Sequence, residues 1–120
     1  MSQLRDIFVT GVETIFGIFN EAVRSGVFTQ TVDDGFSDPV LTTDAIRCIF
    51  ETFKAKDVES LSFSKLIQPQ DVKGLMPASD LVNCEMSTQA HIIFGDDKYS
   101  VEGHELDPMS IIYTLLLRKI

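Results

Sequence analysis

The residues that could do chemistry are few, and their spacing argues against catalysis. The chain has two histidines, His91 and His104, and two cysteines, Cys48 and Cys84. A catalytic serine, cysteine or histidine sits in a recognisable local context, because the nucleophile must be exposed at a turn and held beside a base. No G-x-S-x-G, phosphate-binding loop, G-x-G-x-x-G, C-x-x-C or H-E-x-x-H is present. The four sulfur and imidazole groups lack zinc-site spacing. His91, beside Ile92 and Ile93, reads as a strand residue and His104 as a loop residue. Asp33, Asp34, Asp38 and Asp44 form an acidic cluster, but without the D-x-D-x-D-G ligand spacing of a calcium loop, so a solvated acidic loop is expected. The expectation is therefore no catalytic residue, no cofactor and no metal, and a function carried by surfaces.

Charge narrows the choice of surface. Eighteen acidic and ten basic residues give a formal net charge of −8. The lysines and arginines are scattered, and no five-residue window is rich in them, so the phosphate-neutralising patch that nucleic-acid affinity needs is missing. Sequence-specific nucleic-acid binding is not expected. An apolar content of 44% excludes a disordered chain, and 120 residues suit one domain, 1–120. Cys48 and Cys84 lie within apolar, strand-like runs and read as buried free thiols, which suits a reducing cytosol. Asp6 and Glu13 interrupt the N-terminal apolar stretch, so no signal peptide is expected. No run approaches 18 apolar residues, so no membrane partner is expected either.

The elements that must position any surface follow from periodicity. Residues 2–25 follow the i, i+3, i+4 spacing of an amphipathic helix, with Ser2 as N-cap and Gly26 as stop. Its apolar face is wide and carries Phe8, Phe16 and Phe19. That face either packs on the protein's own sheet or meets a partner, so these three are the candidate helix interface. Strands are predicted at 27–32, 45–53, from Leu61 through Phe63 towards Ile67, at 81–86, 91–94, 98–102 and 110–118. A polar link runs over 54–60, a turn or single helical turn over 71–77, a hairpin turn at Gly95-Asp96-Asp97, and a loop over 104–108. The unbroken apolar run at 110–118 predicts a strand buried on both faces. The fold class expected is mainly β (α+β): a small antiparallel barrel or sandwich of about six or seven strands over 27–118, with the helix leaning on it.

From Ile46 onward, the order of turn and strand landmarks resembles the head–tail joining, or head-completion "stopper", proteins of lambda-like long-tailed phages. The matching residues are Q70-D-V-K-G-L75, S79-D80, G95-D-D-K-Y-S-V101, D107-P-M-S110 and I111-I-Y-T-L-L-L117. They span roughly 70 residues, mostly in the C-terminal half. The chain departs from the family at Ser79, where Gly is usual, in the long step from Leu81 to Phe94, which leaves room for an added hairpin, and in an apparent insertion at 33–45. The resemblance implies a small β-barrel with an appended helix. It also implies a virion protein, assembled in the bacterial cytoplasm, whose partners are the portal or connector and the tail terminator. Identical copies would form a ring in the virion, with a monomer expected in solution until the connector is met. The loop 51–60 then corresponds to a variable loop near the channel, making Lys54, Lys56 and Asp57 candidate contacts to DNA or a neighbouring copy. Two other readings stay open: another tail component, such as a terminator or tube-related protein, and a non-enzymatic β-barrel adaptor that binds a peptide or ligand.

Overall fold

The computed structural model describes residues 23–33, 35, 36 and 38–120. Six strands run β1 (Val23–Val32), β2 (Val40–Glu51), β3 (Val72–Pro77), β4 (His91–Phe94), β5 (Asp97–Leu106) and β6 (Ile112–Lys119). One short helix, α1 (Ala55–Ser60), and two 3₁₀ turns, Ser64–Leu66 and Ala78–Asp80, complete the elements. The strands close into a barrel in the order β1-β2-β3-β6-β5-β4, and every pair is antiparallel. Closure gives every strand a neighbour on both sides, although β2 meets β3, and β1 meets β4, over only three residues each. Between the two architectures expected, the barrel is the one formed.

Alternation fills the interior. Phe28, Ile46, Cys48, Met76, Ile92, Val101, Leu115 and Leu117 belong to one buried cluster. Side chains fill the lumen, as they do in small barrels, so it is not a channel. β6 is covered on both faces, as the unbroken run predicts: Leu115, Leu116 and Leu117 are each 0% exposed. Leu116 points away from the lumen and lies opposite Gly103 in the β5–β6 register. A shift in that register between Val101 and Gly103 is a β-bulge, which turns Gly103 to the outer face. A Cβ on Gly103 would come within 2.7 Å of Phe63, so glycine there lets Phe63 lie on the wall and cover Leu116's side of it.

Several local expectations are overturned. β1 begins at Val23, so the predicted helix cannot extend to residue 25, and Gly26 is a strand residue, not a helix stop. Val23 fits helical and strand spacing equally, and barrel pairing with Ile49 decides between them. The remainder of that helix, with Phe8, Phe16 and Phe19, lies outside the described residues. The predicted turn at 71–77 is β3, because Gly74 and Pro77 are tolerated where the strand meets β2 and then ends. The predicted polar link at 54–60 holds α1. The predicted strand from Leu61 through Phe63 is a 3₁₀ turn and its flanks, and the predicted strand at 81–86, with its possible hairpin, is an irregular segment. β5 continues through His104 to Leu106, where a loop was expected. The Gly95-Asp96 turn forms as expected, with Gly95 at φ 62° between the paired Phe94 and Asp97.

Candidate interaction surfaces

The barrel has two mouths, and each is closed by a charged group facing inward. At the first, Arg24 lays its guanidinium over the rings of Phe50 and Phe94, 4.5 and 5.3 Å from their centroids. Phe50, Phe94 and Tyr99 pack edge to face, with centroids 5.0–5.9 Å apart. At the second, residues 78–90 cross from the end of β3 to the start of β4, and Asp44 holds them. Asp44 stands opposite the core residue Phe28 and is buried. Its Oδ2 accepts the backbone N–H groups of Val82, Asn83 and Cys84 at 3.1, 2.9 and 2.8 Å, and its Oδ1 accepts the Asn83 side-chain amide at 3.1 Å. Burial pushes the Asp44 carboxyl up, but the backbone N–H groups of Cys84, Asn83 and Val82 outweigh it and hold it below the usual value. The solvated acidic loop expected for this residue is thus corrected: Asp44 is an internal anchor.

The other fixed acids are fasteners as well. Asp80 accepts the Arg47 backbone N–H at 2.8 Å and its guanidinium at 2.8 and 3.2 Å, next to where β3 ends. Asp71 binds Arg118 through two bonds, 3.0 and 2.9 Å, and so ties the segment before β3 to β6. Asp107 accepts the N–H groups of Met109, Ile111 and Ile112 and so closes the β5–β6 turn, in which Ser110 takes φ 59°. Both cysteines are free and buried, as expected. Burial pushes Cys48 up to about 12. Burial, together with the nearby Asp44 charge and hydrogen bond, pushes Cys84 up to about 11. Neither is a nucleophile at neutral pH. His104 packs its ring against Tyr113.

The predicted trio at 54–57 divides. Asp57 is 5% exposed: it accepts the Lys54 backbone N–H at 2.8 Å and Lys73 Nζ at 3.0 Å. Those hydrogen bonds from Lys54 and Lys73 hold its carboxyl below the usual value despite burial. Lys73 also reaches Glu51, its cross-strand neighbour, at 3.5 Å. Lys54 and Lys56 are exposed. Asp57 therefore builds the site, and the two lysines are what it presents outward. Lys73 and Arg118 carry no local sequence signal for these roles, because their partners lie 16 and 47 residues away. The Asp107 turn did have one, in D-P-M-S.

Two outward features lie at opposite ends of β2. At its start, the β1–β2 hairpin projects beyond the second mouth. The β1–β4 pairing ends at Thr29, and β2 meets β3 only from Ile49 onward, while β1 and β2 stay paired out to Val32 and Val40. Val32, Phe36, Val40 and Leu41 there are 51–98% exposed. At the end of β2, a cleft of about 350 Å³ is walled by Phe53, Val58, Ile67 and Pro69. A second cleft, of about 480 Å³, lies between the hairpin and residues 83–89. It is polar, and its charged liners are the like-signed Asp33 and Glu85. No group of three or more metal-ligating side chains occurs among the described residues. No helix among them is long and apolar enough to cross a membrane. No protein-family model matches the chain, and no curated protein sequence matches it.

Proposed function

We propose that this chain is a structural virion subunit of a phage or prophage. It joins the DNA-filled head to the tail as part of a ring that helps retain DNA and docks the tail. It acts through its surfaces and not as an enzyme. The observation that carries the reading is where the landmarks shared with the joining proteins fall in the barrel. Three of the five acids in those motifs, Asp71, Asp80 and Asp107, each fasten a strand end, a turn or a crossing segment. The apolar run that ends the pattern is β6, the strand buried on both faces. One physical task, closing a small barrel with short punctuated strands, accounts for the order of the landmarks.

The electrostatics agree with such a place. A net charge of −8 disfavours adhesion to DNA passing nearby. The proposed partners are the portal or connector on one side and the tail terminator on the other. The deciding experiment is electron microscopy of lysates from a phage lacking this gene. DNA-packaged heads beside complete, unattached tails are expected, with joining restored when the full chain is supplied in trans. Intact particles would overturn the proposal. Tails of uncontrolled length would replace joining with a terminator role.

A further inference from the structure

We infer that copies of this chain contact one another head to tail, the β1–β2 hairpin tip of one copy seating in the cleft at the other end of its neighbour's barrel. The inference rests on the ring reading in taking a second copy as the occupant. Four observations carry it. First, four of the eleven large apolar side chains that are exposed among the described residues fall within residues 32–41: Val32, Phe36, Val40 and Leu41. A cluster of that kind at the end of a projecting hairpin marks an interaction surface more strongly than single exposed residues do. Second, the cleft is walled mainly by apolar side chains, and Val58 in its wall and Leu66 beside it are themselves 52% and 54% exposed.

Third, the charges are complementary. The tip carries Asp33 and Asp38, both exposed. Residues 54–65, which run past the cleft, carry Lys54, Lys56 and Lys65, all exposed, in a chain with only ten basic residues. Of the acids at this end, Asp57 is buried against Lys73, Asp71 in the cleft wall is bound by Arg118, Glu51 reaches Lys73, and Glu59 is exposed. The cleft end therefore offers three exposed lysines, with all its acids but Glu59 held by basic side chains, on a protein that otherwise repels its own copies, and this favours one orientation of encounter. Fourth, tip and cleft lie at opposite ends of a twelve-residue strand. Two different patches at opposite ends of the subunit suit the heterologous contact from which rings are built. The hairpin is narrow, so the contact is small and weak between free copies and gains strength when a ring closes.

Cross-linking with a defined pair tests this. Full-length Phe36→Cys and full-length Val58→Cys, each checked by circular dichroism and carrying different tags, are mixed at high concentration with a short bismaleimide. The native cysteines are buried and stay silent. The mixed product is expected to exceed the two homodimers by about tenfold, where random collision makes the mixed product equal to their sum. The double variant should give a ladder of oligomers. Replacing Lys54, Lys56 and Lys65 by Glu should cut the mixed product by about tenfold, and adding Asp33→Lys and Asp38→Lys should restore it. A random product distribution, or a yield indifferent to the charge reversals, overturns the inference. If cross-linking fails while the deletion phage still yields unjoined heads and tails, the contact is wrong and the joining role stands. If cross-linking succeeds while deletion is harmless, the contact stands and the role falls.

Discussion

Asp44→Asn should loosen the second mouth without unfolding the barrel, and its cost can be worked from the contacts. Three backbone N–H groups converge on one carboxylate oxygen at 2.8–3.1 Å. Hydrogen bonds to a charged acceptor contribute about 1.5–3 kcal/mol, neutral ones about 0.5–1.5. Asparagine keeps one oxygen for the three donors, so each drops by about 1 kcal/mol. Relief from burying a charge takes back part of this, leaving a loss of about 2 kcal/mol. A domain of this size has about 5–15 kcal/mol of stability, so the variant stays folded. Urea titration should show a lower midpoint at unchanged slope. Hydrogen exchange should show the Val82, Asn83 and Cys84 amides losing more protection than those of Leu115 to Leu117, because the mouth opens locally. The pH dependence has a definite sign. Asp44's folded pKa lies below its ordinary value of 3.8, so its contribution is fully present above 3.8 and is lost as pH falls through the lower folded value. The variant should therefore show a shallower acid limb than the parent. A loss below about 0.5 kcal/mol, the size of an ordinary surface substitution, with the three amides still protected, would refute Asp44 as the anchor.

Three further outcomes follow from the same contacts. Asp57→Ala should cost about 2–4 kcal/mol in denaturant titration, because it leaves Lys73 without its closest partner, whereas Lys54→Ala and Lys56→Ala should each stay within about 0.5 kcal/mol. Gly103→Ala should cost about 1–3 kcal/mol by forcing Phe63 off the wall, and a double-mutant cycle with Phe63→Leu should show strong non-additivity. Thiols pushed up to about 12 and about 11 hold roughly 10⁻⁵ and 10⁻⁴ of their population as thiolate at pH 7. Cys48 and Cys84 should thus ignore a thiol reagent in the native protein and react promptly in urea, and prompt native reaction would contradict their burial.

What the sequence made legible was whatever rests on neighbours in the chain. The Gly95-Asp96 turn, the strand at 91–94 and the doubly buried β6 each follow from residue type and spacing within a short window. What it hid depends on partners far away. Asp44 read as one of four loop acids, because nothing nearby shows that residues 82–84, some 40 positions on, turn their N–H groups towards it. Residues 71–77 read as a turn, because Gly74 and Pro77 punctuate them. They form a strand because β2 and β6 lie on either side to pair with them. Lys54, Lys56 and Asp57 looked alike as a charged link, and only the fold separates the buried acid from the two exposed lysines. The candidate surface was half legible for the same reason. The lysines are visible in the sequence, but the cleft beside them needs Phe53 and Ile67 brought together from opposite ends of the 52–71 segment.

The closed mouths also constrain how the proposed ring can work. The lumen is filled by Phe28, Ile92, Val101, Leu115 and Leu117, each 0% exposed, and its ends are sealed by Asp44 with residues 82–84 and by Arg24 over Phe50 and Phe94. No polymer can pass through such a barrel without unfolding it. In a head-to-tail ring, any passage for DNA therefore lies on the axis between copies, and the barrel acts as wall. The side facing that axis must not bind phosphate, which fits a chain whose cluster of exposed lysines at 54–65 is occupied in the inferred contact by the neighbour's acids. In the proposed ring, the lysines inferred to join the copies meet the neighbour's acids and so add no positive charge to the passage. Reversing Lys54, Lys56 and Lys65 should accordingly break assembly, whereas adding lysines away from the contact should leave assembly intact and slow the release of DNA. If the second set of variants ejected DNA at the parental rate, the acidic-conduit argument would fail even with the ring in place.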